Sequence, residues 1–135
     1  MKSINLKKVR ASIGRSAVIA RKWFEEKSFE ILKKEFDKHG SLKLKDKRTG
    51  AVYAYFSKSN EVLYVGETGG GVKERTHFQT SRHTNAKWWG KWTHMRFLQV
   101  PIRTDRLVLE LFLILDYQPT YNKKPGPRHV KQFFS

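Results

Sequence analysis

The sequence predicts an α+β fold: a small three-stranded antiparallel sheet flanked by helices, preceded by a basic helical extension. Three observations carry this expectation. Two short apolar runs, Gly50 to Phe56 and Glu61 to Thr68, are separated by the polar turn residues Ser57-Lys58-Ser59-Asn60, as in a β-hairpin. A third segment, Trp92 to Val100, alternates apolar and polar residues and stops before Pro101. Helical spacing marks residues 16–39 and the run Leu107 to Leu115, whose one polar member is Glu110.

In chain order, residues 1–15 are basic and poor in apolar groups, which suits a segment ordered only on a polyanion. A helix is expected from about Ser16 to His39, stopped by Gly40, with Ile19, Trp23, Ile31, Leu32 and Phe36 as its apolar stripe. Residues 41–49 read as a basic connector. In the hairpin, placing Phe56 opposite Glu61 sets Tyr53 opposite Tyr64 and Ala51 opposite Gly66, so that two phenols leave one face. Gly69-Gly70-Gly71 leads into a helix over about 72–82. Lys87 to Lys91 form a loop before the third strand. Thr104 or Asp105 caps the last helix, which runs to about Tyr117 and is expected to be buried on most sides. The chain thus divides into a basic extension, 1–49, and a domain, 50–135.

The chain has 135 residues, 28 of them Lys or Arg against 12 Asp or Glu, for a formal charge of +16. That length suits one modest core. Roughly half of the basic residues precede residue 51, so the charge is not confined to a tail. A polyanion partner is the natural reading, with nucleic acid foremost. There is no cysteine, which excludes a disulfide frame and a thiolate zinc site. The histidines show no close metal-ligand spacing. No secretory leader pattern opens the sequence, and Leu107–Leu115 is too short to span a bilayer, so a cytoplasmic protein is expected.

Several residues stand out chemically. Glu110 is a lone carboxylate in an apolar helix, costly unless paired or bound to a cation; the structural alternative is an ion pair with Arg106 one turn earlier. Lys87-Trp88-Trp89-Gly90-Lys91-Trp92 interleaves aromatic and basic groups. Trp88, with Lys87 and Lys91, is the candidate for base stacking, and one or two of the tryptophans are expected in the core. Arg15, Arg21 and Lys22 on the first helix, with Arg82, Arg103 and Arg106, are candidate DNA-backbone contacts.

Ala51-Val52-Tyr53, Tyr64-Val65-Gly66, Arg75, Glu110 and Pro119-Thr120-Tyr121-Asn122 occur in an order and at distances that resemble the GIY-YIG nuclease family. The resemblance covers residues 50 to about 124. It implies a metal-dependent DNA endonuclease, with one Mg2+ or Mn2+ held by Glu110. Arg75 would offset phosphoryl charge, Asn122 would steady the site by hydrogen bonding, and Tyr53 or Tyr64 would take the proton from water. The compact size is closest to the family's small restriction enzymes, with a repair or phage-encoded nuclease left open. The enzyme would act as a monomer or a homodimer. Departures are Ala51 in place of glycine, the longer glycine run, and Gln79 where relatives carry an imidazole or phenol. His77 is two residues past Arg75, about 200° round a helix, so its part in catalysis is doubtful. A non-catalytic nucleic-acid-binding module with the same fold is the alternative, followed by a basic RNA- or ribosome-associated protein.

Overall fold

A computed structural model describes residues 5–35, 50–70 and 85–122. The helix expected over 72–82, with Arg75, His77 and Arg82, lies outside the described residues, as do the connector 41–49 and the chain after Asn122. Helix α1 spans Leu6–Lys27, followed by strands β1 (Phe29–Leu32), β2 (Ala51–Ser57), β3 (Val62–Thr68) and β4 (Trp92–Gln99), then helix α2 (Arg103–Tyr117). All pairings are antiparallel, in the order β1-β4-β2-β3. The sheet therefore has four strands, one more than expected. No described helix is long and apolar enough to cross a membrane.

The first helix begins ten residues before the expected start. Asn5 caps it, its side-chain oxygen accepting from the Lys8 amide at 3.2 Å. Residues 6–15 are thus helical rather than irregular. The helix also ends early, at Lys27, because Phe29-Glu30-Ile31-Leu32 pairs with β4 through Phe29–Phe97 and Leu32–His94. Aromatic and β-branched residues favour that extended backbone. The expected stripe is corrected too. Ile19 and Trp23 are exposed, at 68% and 46%, and the inward face is Ile13, Ala17, Ala20 and Phe24. Two alanines let α1 lie close to α2, and small residues are easily overlooked in a search for bulky apolar ones.

Strand β2 has a neighbour on each side and a packed layer on each face, which explains its unbroken apolar run. On one face Val52, Ala54, Phe56 and Val65 meet α1 and α2, chiefly Ala17, Phe24, Leu109, Leu113 and Ile114. On the other, Tyr53, Tyr55 and Leu63 pack with Trp88, Trp92, Met95 and Phe97. Helix α2 is apolar on more than its buried side: Leu107, Val108 and Leu111 are 41%, 48% and 45% exposed. Its expected burial on most sides is therefore corrected. It starts after Ile102 with no side-chain cap, so neither Thr104 nor Asp105 plays that part.

The hairpin register also differs. Tyr55 lies opposite Tyr64, Tyr53 opposite Gly66, and Ala51 opposite Thr68. The turn differs from the four-residue loop assumed: Ser57 N–H donates to Glu61 O at 2.9 Å, enclosing residues 58–60, with Asn60 at φ 63. A bulge then leaves Leu63 as an extra residue between the Phe56–Val62 and Tyr55–Tyr64 pairs. The net displacement is two residues, so both phenols keep the same face.

Candidate functional site

Tyr53, Tyr55 and Tyr64 project from the sheet face away from the helices. Tyr53 and Tyr55 are buried, and Tyr64 is half-buried. The Tyr64 ring lies parallel to Trp88 at 5.1 Å, and 6.5 Å from Tyr53 at an interplanar angle of 26°. Gly66 fixes where the Tyr53 phenol goes. A Cβ there would stand 2.6 Å from the Tyr53 hydroxyl oxygen and 2.7 Å from Cζ. Without one, the Tyr53 ring crosses β3 and brings its hydroxyl over the sheet's edge strand. Gly66→Ala is therefore expected to displace the Tyr53 ring and to cost about 1–3 kcal/mol, as overpacking does. Urea unfolding measures this loss.

The free edge of β3 is closed by residues that follow α2. The Thr120 and Tyr121 amides donate to Val62 O at 3.1 Å and Leu63 O at 2.9 Å. The buried Asn122 side chain accepts from Val65 N–H at 2.9 Å and donates to Val65 O at 2.7 Å. One amide thus satisfies both backbone groups of a fully buried residue at the centre of Tyr64-Val65-Gly66. Asn122→Ala leaves both unpaired, for an expected loss of about 2–4 kcal/mol by denaturant unfolding.

Glu110 sits in α2, on the other layer. It is half-buried, and its pKa is pushed up to about 7 by burial and then by the nearby Glu67. Among the described residues none forms an ion pair with it. The Arg106 pair considered from sequence does not form, because Arg106 turns to Glu67 (Nε to Oε2, 2.9 Å) and donates Nη1 to the carbonyls of Val100 and Pro101. Glu67 follows Gly66 and lies opposite Val52, so it faces the helices while the phenols face away. Glu110, on α2, and the two phenols thus do not share one face of the sheet. Instead they approach the segment Gly66–Glu67 of the edge strand from its two sides. Sequence reasoning missed Glu67; its signal was a carboxylate directly after the Tyr-x-Gly tripeptide.

The candidate DNA contacts divide by exposure. Arg15, Lys22, Lys87, Lys91 and Arg103 are exposed. Lys91 donates to the Tyr121 hydroxyl at 2.5 Å and lies over that ring. The other three described candidates are engaged within the protein. Trp88 is 4% exposed and sandwiched between aromatic rings, so it is a core residue rather than a stacking platform. Arg106 is 6% exposed and spent on Glu67. Arg21, half-buried, pairs with Asp116 and Glu25, which raise its pKa.

Glu110 could hold a divalent cation. The donor is a hard carboxylate oxygen with no competing ion pair among the described residues, and adjacent negative charge would be relieved by a cation. No cluster of three metal-binding side chains occurs among the described residues.

No family model and no solved structure match the chain. It is similar to UvrABC system protein C of Flavobacterium johnsoniae, at 35% identity over 74 residues, covering 53% of this chain and 12% of that protein. The match to the same protein of Flavobacterium psychrophilum has the same identity and coverage. For that of Alkaliphilus metalliredigens it is 34% over 92 residues, covering 64% of this chain and 14% of that protein. The chain thus spans only about an eighth of the length of these curated relatives.

Proposed function

We propose that this chain is a metal-dependent DNA endonuclease of the GIY-YIG type. One observation supports the reading above others: Asn122, from the Pro-x-x-Asn element, holds the backbone of Val65 inside the Tyr-Val-Gly tripeptide. Two motif elements 57 residues apart meet through a bond that both need. The similarity to UvrABC system protein C supports a nuclease acting on DNA.

In this reading the scissile phosphate lies at the rim of β3 near Gly66. Tyr53, held over that strand, accepts the proton of the attacking water as its phenolate, a form that a nearby cation and guanidinium would favour. Tyr64 orients the water or a phosphate oxygen. Arg75 supplies a guanidinium to the charge that develops on phosphorus. Mg2+ or Mn2+ at Glu110 would supply Lewis-acid stabilisation of the leaving oxygen. The exposed Arg15, Lys22, Lys87, Lys91 and Arg103 position the DNA through its backbone.

The sheet between the phenols and Glu110 favours one other reading, a nucleic-acid-binding module that keeps the fold without cutting. Incubation of the purified chain with varied duplex DNA and Mg2+ or Mn2+ separates the two. Cleavage that stops on chelation is the expected result. Binding without cleavage in either metal overturns it. Sequencing the cut ends decides between a restriction-like enzyme, which gives discrete sites, and a structure-directed repair or phage nuclease.

A further inference from the structure

The tyrosine face continues toward β1 in a surface to which neither the motif nor the proposed chemistry gives a role. Trp89 opens a short 3-10 turn, Trp89–Lys91, and is half-buried while Trp88 and Trp92 on either side are buried. Its ring is braced edge-on by Tyr55 at 6.0 Å and by Trp92 at 5.4 Å. The turn itself is pinned by Trp89 N–H to Ala86 O, 3.1 Å, and Lys91 N–H to Trp88 O, 2.9 Å. Lys33, directly after β1, donates to the Trp89 carbonyl at 3.3 Å, with its ammonium 5.6 Å from the Trp92 ring centre. Beside it lies a recess of about 450 Å3 whose described lining is Leu32, Lys33, Lys34, Trp92 and Thr93, with no carboxylate among these residues.

The chemistry of that surface is specific. A ring held rigid before binding loses little freedom when a base stacks on it. Bases inside a duplex are covered on both faces by their neighbours, so an indole face can be matched only by a base out of the stack. Lysines next to the ring meet the phosphate that such a base brings. A larger cavity, about 690 Å3 near the hairpin turn, offers no such match: among its described lining residues Glu25, Glu30, Glu61 and Asp116 outnumber Arg21 and Arg96.

We propose that Trp89, with Lys33 and Lys34, binds an unpaired nucleotide, so that the preferred substrate is duplex DNA carrying a single-stranded segment. This rests on the proposed function only in taking DNA as the polymer. The test is fluorescence anisotropy in EDTA, at fixed salt, where no cleavage occurs. A short duplex with about four unpaired nucleotides at one end is compared with one extended by as many base pairs. The tailed DNA is expected to bind about 5- to 100-fold more tightly, the range that base–aromatic stacking supplies. Trp89→Leu, which keeps apolar bulk, should lose the preference, and Trp89→Phe should keep most of it. On the wild-type protein, the tail should quench tryptophan emission more than the paired extension does. Equal binding of the two DNAs, or a preference that survives Trp89→Leu, overturns the proposal. A tail preference in a protein that never cuts DNA would leave this inference standing and remove the nuclease reading alone.

Discussion

Glu110→Gln is expected to lower magnesium-dependent cleavage by at least about 100-fold, on the scale of losing one charge-stabilising group at a reacting phosphate. The substitution keeps shape and removes charge, so the fold and duplex affinity should be little changed. The carboxylate is costly in the metal-free protein, since burial and Glu67 both oppose its charge and push its pKa up to about 7. The unfolded chain titrates lower, near the ordinary carboxyl value of 4.5, so between these values the folded state holds the extra proton. Stability from this group is therefore full below the lower value and is lost as pH rises through the higher one. Without metal at about pH 8, Glu110→Gln should be the more stable protein. The gain is on the order of 1 kcal/mol once the solvent at a half-exposed carboxylate is allowed for. Mg2+ should raise the melting temperature of the wild type and not of the variant. Equal stabilisation of both by metal would move the cation away from Glu110.

Much of this was legible from residues alone, and the failures have physical causes. The hairpin, β4 and α2 follow from local pattern: turn chemistry, alternation ending at Pro101, and helical spacing after it. The link between Asn122 and the tyrosine hairpin was implied only by family resemblance, because no local signal couples residues so far apart. Strand β1 was not legible. It is short, follows a helix without a proline or glycine break, and is extended only because β4 offers it a partner. The two-residue register displacement arose in the turn, where one left-handed asparagine and one bulged leucine change the pairing without changing the face. The basic side chains were the hardest to sort. Arg21, Arg106 and Lys91 look alike in sequence, yet one is half-buried in a carboxylate pair, one is core, and one is exposed. Only the positions of Asp116, Glu67 and Tyr121 tell them apart.

Arg106 carries the largest expected effect on stability. Its side chain is 8% exposed and ties α2 to two other parts of the chain: Glu67 on β3 at 2.9 Å, and the carbonyls of Val100 and Pro101 at 3.1 and 2.9 Å after β4. Gly50, at the start of β2, makes room for it. Its φ is +100, and a Cβ there would stand 2.2 Å from Nη1, so no other residue fits at Gly50 without moving the guanidinium. Arg106→Met keeps most of the aliphatic stem but leaves Glu67 and two carbonyls unsatisfied. The expected loss is about 3–5 kcal/mol, read as a lower urea midpoint with unchanged slope. Glu67, whose charge already raises the Glu110 pKa, would then have lost its ion-pair partner. The double variant Arg106→Met with Glu67→Gln should therefore recover part of the loss, because the two residues are coupled and Glu67 costs most when its partner is gone. A loss below about 1 kcal/mol for Arg106→Met alone, within the range of an exposed ion pair, would return Arg106 to the list of DNA contacts.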